Sequence, residues 1–486
     1  MLFISGMTVS QWRREVLRTN FWLVPSMEVL AAIALFAATL EVDRAVYHGT
    51  LTLPAWVEAG SADTAREILL AVAAAIMTVI GINFSVTIVT LTLASTQFGP
   101  RMLRNFIRDR GTQLTLGTFV ATAVYCVLVL LAIGPAEHGV FVPHVSVDVV
   151  FLLVLVDLAV LIYFLHHIAI QIQLPFVIAS VAKDLTRYLG VRKPDIRMST
   201  RDEPDDTEEI AALVDTIKSS GAMLRTPKGG YLQAIRYDML IRAASAADAV
   251  VHLPYRPGNF LVEDSELAAV WPPQAADRIT RRLKRAQVTG PVRNLAQDPA
   301  FGIDQLVEIA IRALSPAVND TYTALTCVDW LANTLCKLAK VWTPAEAYRD
   351  RAGAIRLICE QVSYENLVQR SFDKIRQASR GMPALLMRQL EALKAVMEQT
   401  TDPDQARVLM DEAAMIQRAN LESVPEEFDR VAVERRFNAV ASAYARLSDS
   451  AGNDLHPEND LHLTGDSASR LSPSSDRGDR SAVGTS

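Results

Sequence analysis

Four long apolar runs constrain this chain more than any other feature. They are "FWLVPSMEVLAAIALFAATL" (21–40), "EILLAVAAAIMTVIGINFSVTIVTLTLAS" (67–95), "LTLGTFVATAVYCVLVLLAIG" (114–134) and "VDVVFLLVLVDLAVLIYFLHHIAI" (147–170). Each is long enough to cross ~30 Å of hydrocarbon as a helix. Helices buried in a water-soluble core rarely stay apolar all round for such lengths, so the runs predict four membrane spans. A chain that is 50% hydrophobic yet only 7% aromatic fits that reading. The first run is too long for a signal-peptide core and no small-residue cleavage site follows it, so it is expected to remain as an anchor.

Charge gives the expected orientation. Arg13, Arg14 and Arg18 precede the first span, Arg101, Arg104, Arg108 and Arg110 separate the second from the third, and Lys183, Arg187, Arg192 and Lys193 follow the fourth. The loop 41–66 carries more acid than base, and "PAEHGVFVPHVSVD" has no Lys or Arg. The positive-inside rule then predicts a multi-pass protein of the cell inner membrane with both termini cytoplasmic.

The fold class expected is mainly α: four transmembrane helices, then a small cytoplasmic β module and an α-helical bundle. Residues 1–174 form the transmembrane domain and 175–220 a helical connector, with "QLPFVIASVAKDLTRYL" as a helix and "RDEPDDTEE" opening another to about Ser220. Residues 221–273 form the β module. There "GGYLQAI" reads as a strand after the Gly229-Gly230 turn, "YDMLIRAASAAD" as a helix, and "AVVHLPYRPGNFLVE" as two strands around Pro257-Gly258 in a hairpin. Residues 274–447 read as amphipathic helices, with Ile303, Leu306, Ile309, Ala310 and Leu314 on one stripe and Tyr322, Leu325, Val328, Leu331, Leu335 and Leu338 on another. Residues 448–486, rich in Ser, Asp and Gly, are expected to be a disordered tail.

Several function classes find no support. A formal charge of -6 makes no case for nucleic acid. Cys126 lies in a span, and Cys327, Cys336 and Cys359 fall on expected cytoplasmic helices at spacings unlike a zinc site. Phosphate-binding, dinucleotide-binding, zinc-protease and nucleophile-elbow motifs are all absent from the sequence, so no reaction and no cofactor is indicated.

Two places carry the polar chemistry. The second span holds Thr78, Asn83, Ser85, Thr87, Thr90, Thr92, Ser95, Thr96 and Gln97, which are costly in lipid unless bonded back to the helix or shared between helices. They are either packing glue or the wall of a water-filled path ended by Gly99-Pro100. Asp157, mid-way along the fourth span, is either a functional residue with an ion or proton role or a protonated, hydrogen-bonded group that only holds helices together, with Asn83, Thr87 or Tyr125 as candidate partners. Asn83, Thr87, Thr90 and Asp157 are thus the candidate pore-lining residues. His166 and His167 point to different helix faces and suit an interfacial structural role. The second place is "RALSPAVNDTYTAL" (312–325). Ser315-Pro316 stops one helix and Asn319 or Asp320 caps the next. The corner is either only that, or a site where Ser315, Asn319, Asp320 and Thr323 bind a ligand.

The run "NLAQDPAFGIDQLVEIAIRALSPAVNDTYTALTCVDWL" resembles the hallmark of a bacterial family of predicted membrane proteins of unknown function, in which an "ALSPAxNDPxTA" segment recurs. The run "FSVTIVTLTLASTQFGPRMLRNF" resembles the same family's second span and its exit. Thr321 stands where that segment carries Pro. The resemblance covers the chain except its tail and implies an architecture without an activity.

Two functions follow. One is a homo-oligomeric ion channel or permeation protein, with lipid, inorganic ions and further copies of the chain as partners and a cytoplasmic regulatory part. The alternative is a membrane-tethered sensor or scaffold whose cytoplasmic bundle binds a ligand or partner. A wet gap along the polar face of the second span favours the first, and burial of that face against neighbouring helices the second.

Overall fold

The computed structural model describes residues 22–51, 61–98, 109–136, 139–191, 198–199, 204–342 and 346–454. The four apolar runs become four helices, each long and apolar enough to cross a membrane: α1 (Leu23–Tyr47), α2 (Ala62–Phe98), α3 (Arg110–Ala132) and α4 (His144–Gln171). Between α3 and α4, strands β1 (Gly134–Ala136) and β2 (Gly139–Phe141) pair antiparallel. The central helix is α3, which packs on the other three and is the most buried of the four. Its small residues allow this. A Cβ on Gly117 would stand 2.9 Å from Pro25 Cα and collide with the Glu28 carboxylate. In lipid, where no hydrophobic force drives helices together, such close approach supplies the attraction.

The chain continues through α5 (Leu174–Val191), β3 (Met198–Ser199), α6 (Pro204–Ser220), β4 (Ala222–Arg225), β5 (Gly230–Ile235), α7 (Tyr237–Ser245), β6 (Val250–Leu253), β7 (Phe260–Leu261) and β8 (Glu266–Trp271). A short 3-10 turn, α8 (Ala276–Ala286), β9 (Gln287–Gly290), α9 (Pro299–Ala313) and α10 (Thr321–Val341) come next. The last elements are β10 (Ala347–Arg349), β11 (Ile355–Cys359), α11 (Tyr364–Ala378), α12 (Pro383–Met397), α13 (Pro403–Ser423) and α14 (Glu427–Asp454).

A six-stranded sheet has the order β3-β10-β11-β6-β8-β4, with only β11 and β6 parallel. Its residues alternate between two cores. Val250, Ala269 and Ile355 face α6, whereas Val251, Ala268, Val270 and Leu357 face α7 and α8. A second sheet, β7-β5-β9, lies beside it. The expected hairpin around Pro257-Gly258 is therefore corrected: a turn closes there, with the Asn259 amide donating to Arg256 O at 3.1 Å, but β6 and β7 belong to different sheets, and the Gly258 amide donates to Leu232 O of β5.

Three strands, β9, β10 and β11, fall within the stretch expected to be all helix, and Cys359 lies on one of them. The segments are too short for a recognisable period, and they become strands through partners far away in the chain. Likewise α5, expected as a connector, is a core element: Val177, Ile178, Val181 and Leu185 are buried with α9 and α10 in the core of the helical bundle. The final helix runs on to Asp454, past the expected boundary at 447, and the rest of the expected tail lies outside the described residues.

Candidate functional site

The inward face of α2 carries Ala65, Leu69, Ile76, Asn83, Thr90 and Ala94, buried at intervals of four or seven residues. That stripe turns polar over its second half, where α2 meets α3 and α4. There a cavity of about 240 Å³ opens. Asn83, Thr87 and Thr90 line it from α2, Thr112 and Thr115 from α3, and Gln171 from α4. Three of the four residues singled out in the sequence as pore-lining thus meet at one place. Thr87 donates to the carbonyl of Asn83 at 2.8 Å and Thr115 to that of Gly111 at 2.9 Å, so neither hydroxyl proton is left for another partner. The amide nitrogen of Asn83, 4% exposed, has no hydrogen-bond partner among the described residues. An unmet donor of this kind costs ~1–3 kcal/mol. The other hydroxyls of α2 point elsewhere: Thr78, Ser85 and Thr92 are exposed and bond back to their own helix, which lowers their cost in lipid.

Asp157 is not part of this cavity. It is 5% exposed and accepts from Thr122 of α3 at 3.1 Å, not from Asn83, Thr87 or Tyr125 as expected. Tyr125 instead meets Thr39 of α1 at 2.8 Å. Next to that pair, Ser146 donates to Asp43 at 2.6 Å, and Asp43 also accepts the backbone amides of Val145 and Ser146. A carboxylate from α1 thereby caps the start of α4. At the opposite end Asp109 caps α3 through the Thr112 amide at 2.7 Å and lies 2.9 Å from His167 Nε2, whose ring stacks on Tyr163. His166 is exposed on another face. Sequence reasoning passed over Glu28, Asp43 and Thr122, because their importance depends on which helix lies opposite.

The stretch 312–325 sits where α2 ends. Arg312, in the last turn of α9, donates through Nη1 to the carbonyl of Ser95 at 3.3 Å and, by a shorter contact, to that of Thr96. These carbonyls are among the last four of α2, which lack partners within their helix, and a cation is favoured at that end. Ala94 is buried in the same core as α5, α9 and α10. Gly99-Pro100, expected to end α2, lies outside the described residues.

Within the corner Ser315 donates to Arg312 O at 2.6 Å, Asn319 takes a positive φ of 50°, and Asp320 caps α10. Its carboxylate accepts from the Thr323 amide at 3.0 Å and from the Thr323 hydroxyl at 2.5 Å. These bonds, that of the hydroxyl foremost, hold the Asp320 carboxyl below its usual range. Ser315, Asn319, Asp320 and Thr323 are thus brought together, all four engaged in bonds that end α9 and start α10, Asn319 through its amide to Ser315 O. Tyr322, placed on the apolar stripe of α10 by its spacing, is 83% exposed. It stands in the first turn, before the stripe meets its partners.

Just upstream, α9 is tied to the sheets. Asp298 caps α9 and accepts from Arg293 Nε at 2.8 Å, while Asp304 accepts from Arg293 at 2.6 Å and from Arg370 of α11 at 3.0 Å. Burial pushes the Asp298 carboxyl up, and Arg293 opposes that shift. Gln297 accepts from the Ile235 amide at 2.8 Å and donates to its carbonyl at 3.1 Å, fastening β5 to the same segment. One continuous stretch, 293–323, therefore touches β5, the bundle and the end of α2. This run stands out in the sequence, but nothing local to it shows that Arg312 reaches another helix.

The fold and these apolar helices define a multi-span, mainly helical membrane protein with a large α/β part after the fourth helix. The chain belongs to the DUF2254 family of predicted membrane proteins, which it matches over residues 18–395. It is also similar to uncharacterized proteins of Mycobacterium bovis and Mycobacterium tuberculosis, 31% identical over 427 residues, or 86% of this chain and 80% of theirs. No solved structure matches it.

Proposed function

We propose that this protein is a membrane-embedded sensor. Events among its four apolar helices are passed through α2 to a cytoplasmic part made of the two sheets and the helical bundle. The observation that carries this reading is the grip of Arg312 on the last turn of α2, because the same helix walls the cavity between α3 and α4. A shift of α2 on filling or emptying that cavity would pull directly on α9 and, through Gln297 and Asp298, on the sheets. Placement of the α/β part in the cytoplasm and of the helices in the inner membrane rests on the basic residues beside the helix ends, among them Arg110, Lys183 and Arg187.

The test is transmission. Filling the cavity with Thr115→Trp should change hydrogen exchange in 306–325 of the full chain in lipid nanodiscs, and in an Arg312→Met background the same substitution should leave exchange there as it is with Arg312→Met alone. A response at 306–325 that survives without Arg312 would rule out this route.

A second reading, permeation by a homo-oligomer, draws on the exposed hydroxyls of Thr78, Ser85 and Thr92, seven residues apart on the outward face of α2. Copies arranged with these faces inward would line a polar path for inorganic ions. Liposomes carrying the protein should then pass ions, and cysteines at 78, 85 and 92 should react with water-soluble thiol reagents. Closed liposomes with unreactive cysteines would dismiss it. Ligand binding at Ser315, Asn319, Asp320 and Thr323 belongs to the sensor reading as a cytoplasmic input, and its test is given with the Asp320 substitution in the Discussion.

A further inference from the structure

The cavity itself indicates what it takes. We propose that it binds an uncharged, lipid-soluble carbonyl compound, packed between α2, α3 and α4 with its carbonyl oxygen accepting from the Asn83 amide. The proposal rests on the sensor reading only in giving the sensor its signal; binding can be tested alone.

Size comes first. A cavity of about 240 Å³ exceeds the ~150 Å³ of apolar cavities that stay dry and take up benzene or xenon. Along α2 it runs from Asn83 to Leu91, about 12 Å at the helical rise. Its walls include Leu116, Phe164 and Ile168, all buried, and its lining holds no Lys, Arg, Asp or Glu. A charged ligand would lose its hydration there without a counter-charge.

Access comes next. Phe84 and Ile88 border the cavity and are 48% and 54% exposed on the outer surface of an apolar helix. The mouth therefore opens sideways toward hydrocarbon, which selects molecules that dissolve in the bilayer. Polarity then narrows the class. Thr87 and Thr115 donate to backbone carbonyls, and Thr112 donates to Asp109 at 2.8 Å. Gln171 Nε2 meets His167 at 2.8 Å, which leaves the Thr90 hydroxyl and the buried Asn83 amide nitrogen, itself without an acceptor, as the donors of the wall. A ligand that presents an acceptor and little else polar matches this wall: the ester carbonyl of an acyl chain, or a free ketone or quinone.

Photolabelling of the full chain in nanodiscs distinguishes these sources. One arm uses a phospholipid with a diazirine on its acyl chain, and the other a diazirine-bearing long-chain ketone without a headgroup. The expected result is adducts on Leu116, Phe164 or Ile168, which bulk lipid does not reach. Adducts there from the phospholipid make the ligand a bilayer lipid, and adducts from the ketone alone make it a free small molecule. Asn83→Leu, which keeps the volume and removes the donor, should cut this labelling roughly tenfold. Ile88→Trp, at an exposed rim position where folding is not at risk, should block it. Labelling confined in both arms to outward residues such as Ile82 and Val89, or inward labelling unaffected by both substitutions, would overturn the proposal. Inward labelling without any change of exchange in 306–325 would leave the binding site standing and remove the sensor reading.

Discussion

Removing the Arg312 side-chain donors should loosen the joint between α2 and α9 by an amount the structure sets. Arg312→Met keeps most of the aliphatic stem and deletes two hydrogen bonds from a cation to carbonyls at a helix end. A bond to a charged group is worth ~1.5–3 kcal/mol, but Arg312 is half-exposed, so solvent screening reduces the pair to about 2 kcal/mol in all. Local opening follows such energies, so the opening constant should rise roughly thirtyfold. Hydrogen exchange of the full chain in nanodiscs reads this directly. Amides in the last turn of α2 and those bonded to the last carbonyls of α9 should exchange faster, among the latter Leu314 and Asp320, which donate to Ala310 and Ala313. Peptides from α12 and α13, remote from the joint, serve as internal controls and should not change. If protection on both sides of the joint is the same in Arg312→Met as in the wild type, the contact transmits nothing and the reasoning fails.

Four further outcomes follow. Asp320→Ala removes the cap of α10 and should cost ~1 kcal/mol in unfolding experiments; intact stability with loss of a soluble cytoplasmic ligand would mean that the corner is a binding site. Burial, with Asp373 adding and Arg376 opposing, pushes the Glu412 carboxyl up to about 7. Its folded value thus lies above its unfolded one, so the stability it contributes is complete below about pH 4.5 and is lost as pH rises through 7. Relative to Glu412→Gln, the wild type should lose up to about 3 kcal/mol between pH 5 and pH 8, and parallel melting profiles of the two proteins would refute this. Gly258 has a φ of 102°, and a Cβ there would lie 2.3 Å from Asp298 Oδ2, so Gly258→Ala should destabilise by about 3 kcal/mol, whereas Gly353→Ala, in open space, should cost less. Reporter fusions should place residues near 300 in the cytoplasm and those near 50 and 140 outside, with a cytoplasmic signal at 140 contradicting the topology.

What the sequence determined by itself is whatever a window of about twenty residues contains. Four apolar runs of spanning length became α1 to α4, since a backbone in lipid must satisfy its own hydrogen bonds wherever it goes. The end of α9 and start of α10 were legible for the same reason, because Asp320 caps an amide only three residues away. Thr87 and Thr90 were legible as polar residues in an apolar helix, though not the side they would face. Only the tertiary structure decided that they look into one cavity with Asn83, and that Asp157 meets Thr122, 35 residues away. It also drew β10 and β11 out of a helical stretch into a sheet begun about 150 residues earlier at β3, and sent β6 and β7 to different sheets. Arg312 and Ser95, 217 residues apart, show why such facts are hidden. An arginine at a helix end is favourable in any context, and which carbonyls it finds depends on how two separately legible units pack together.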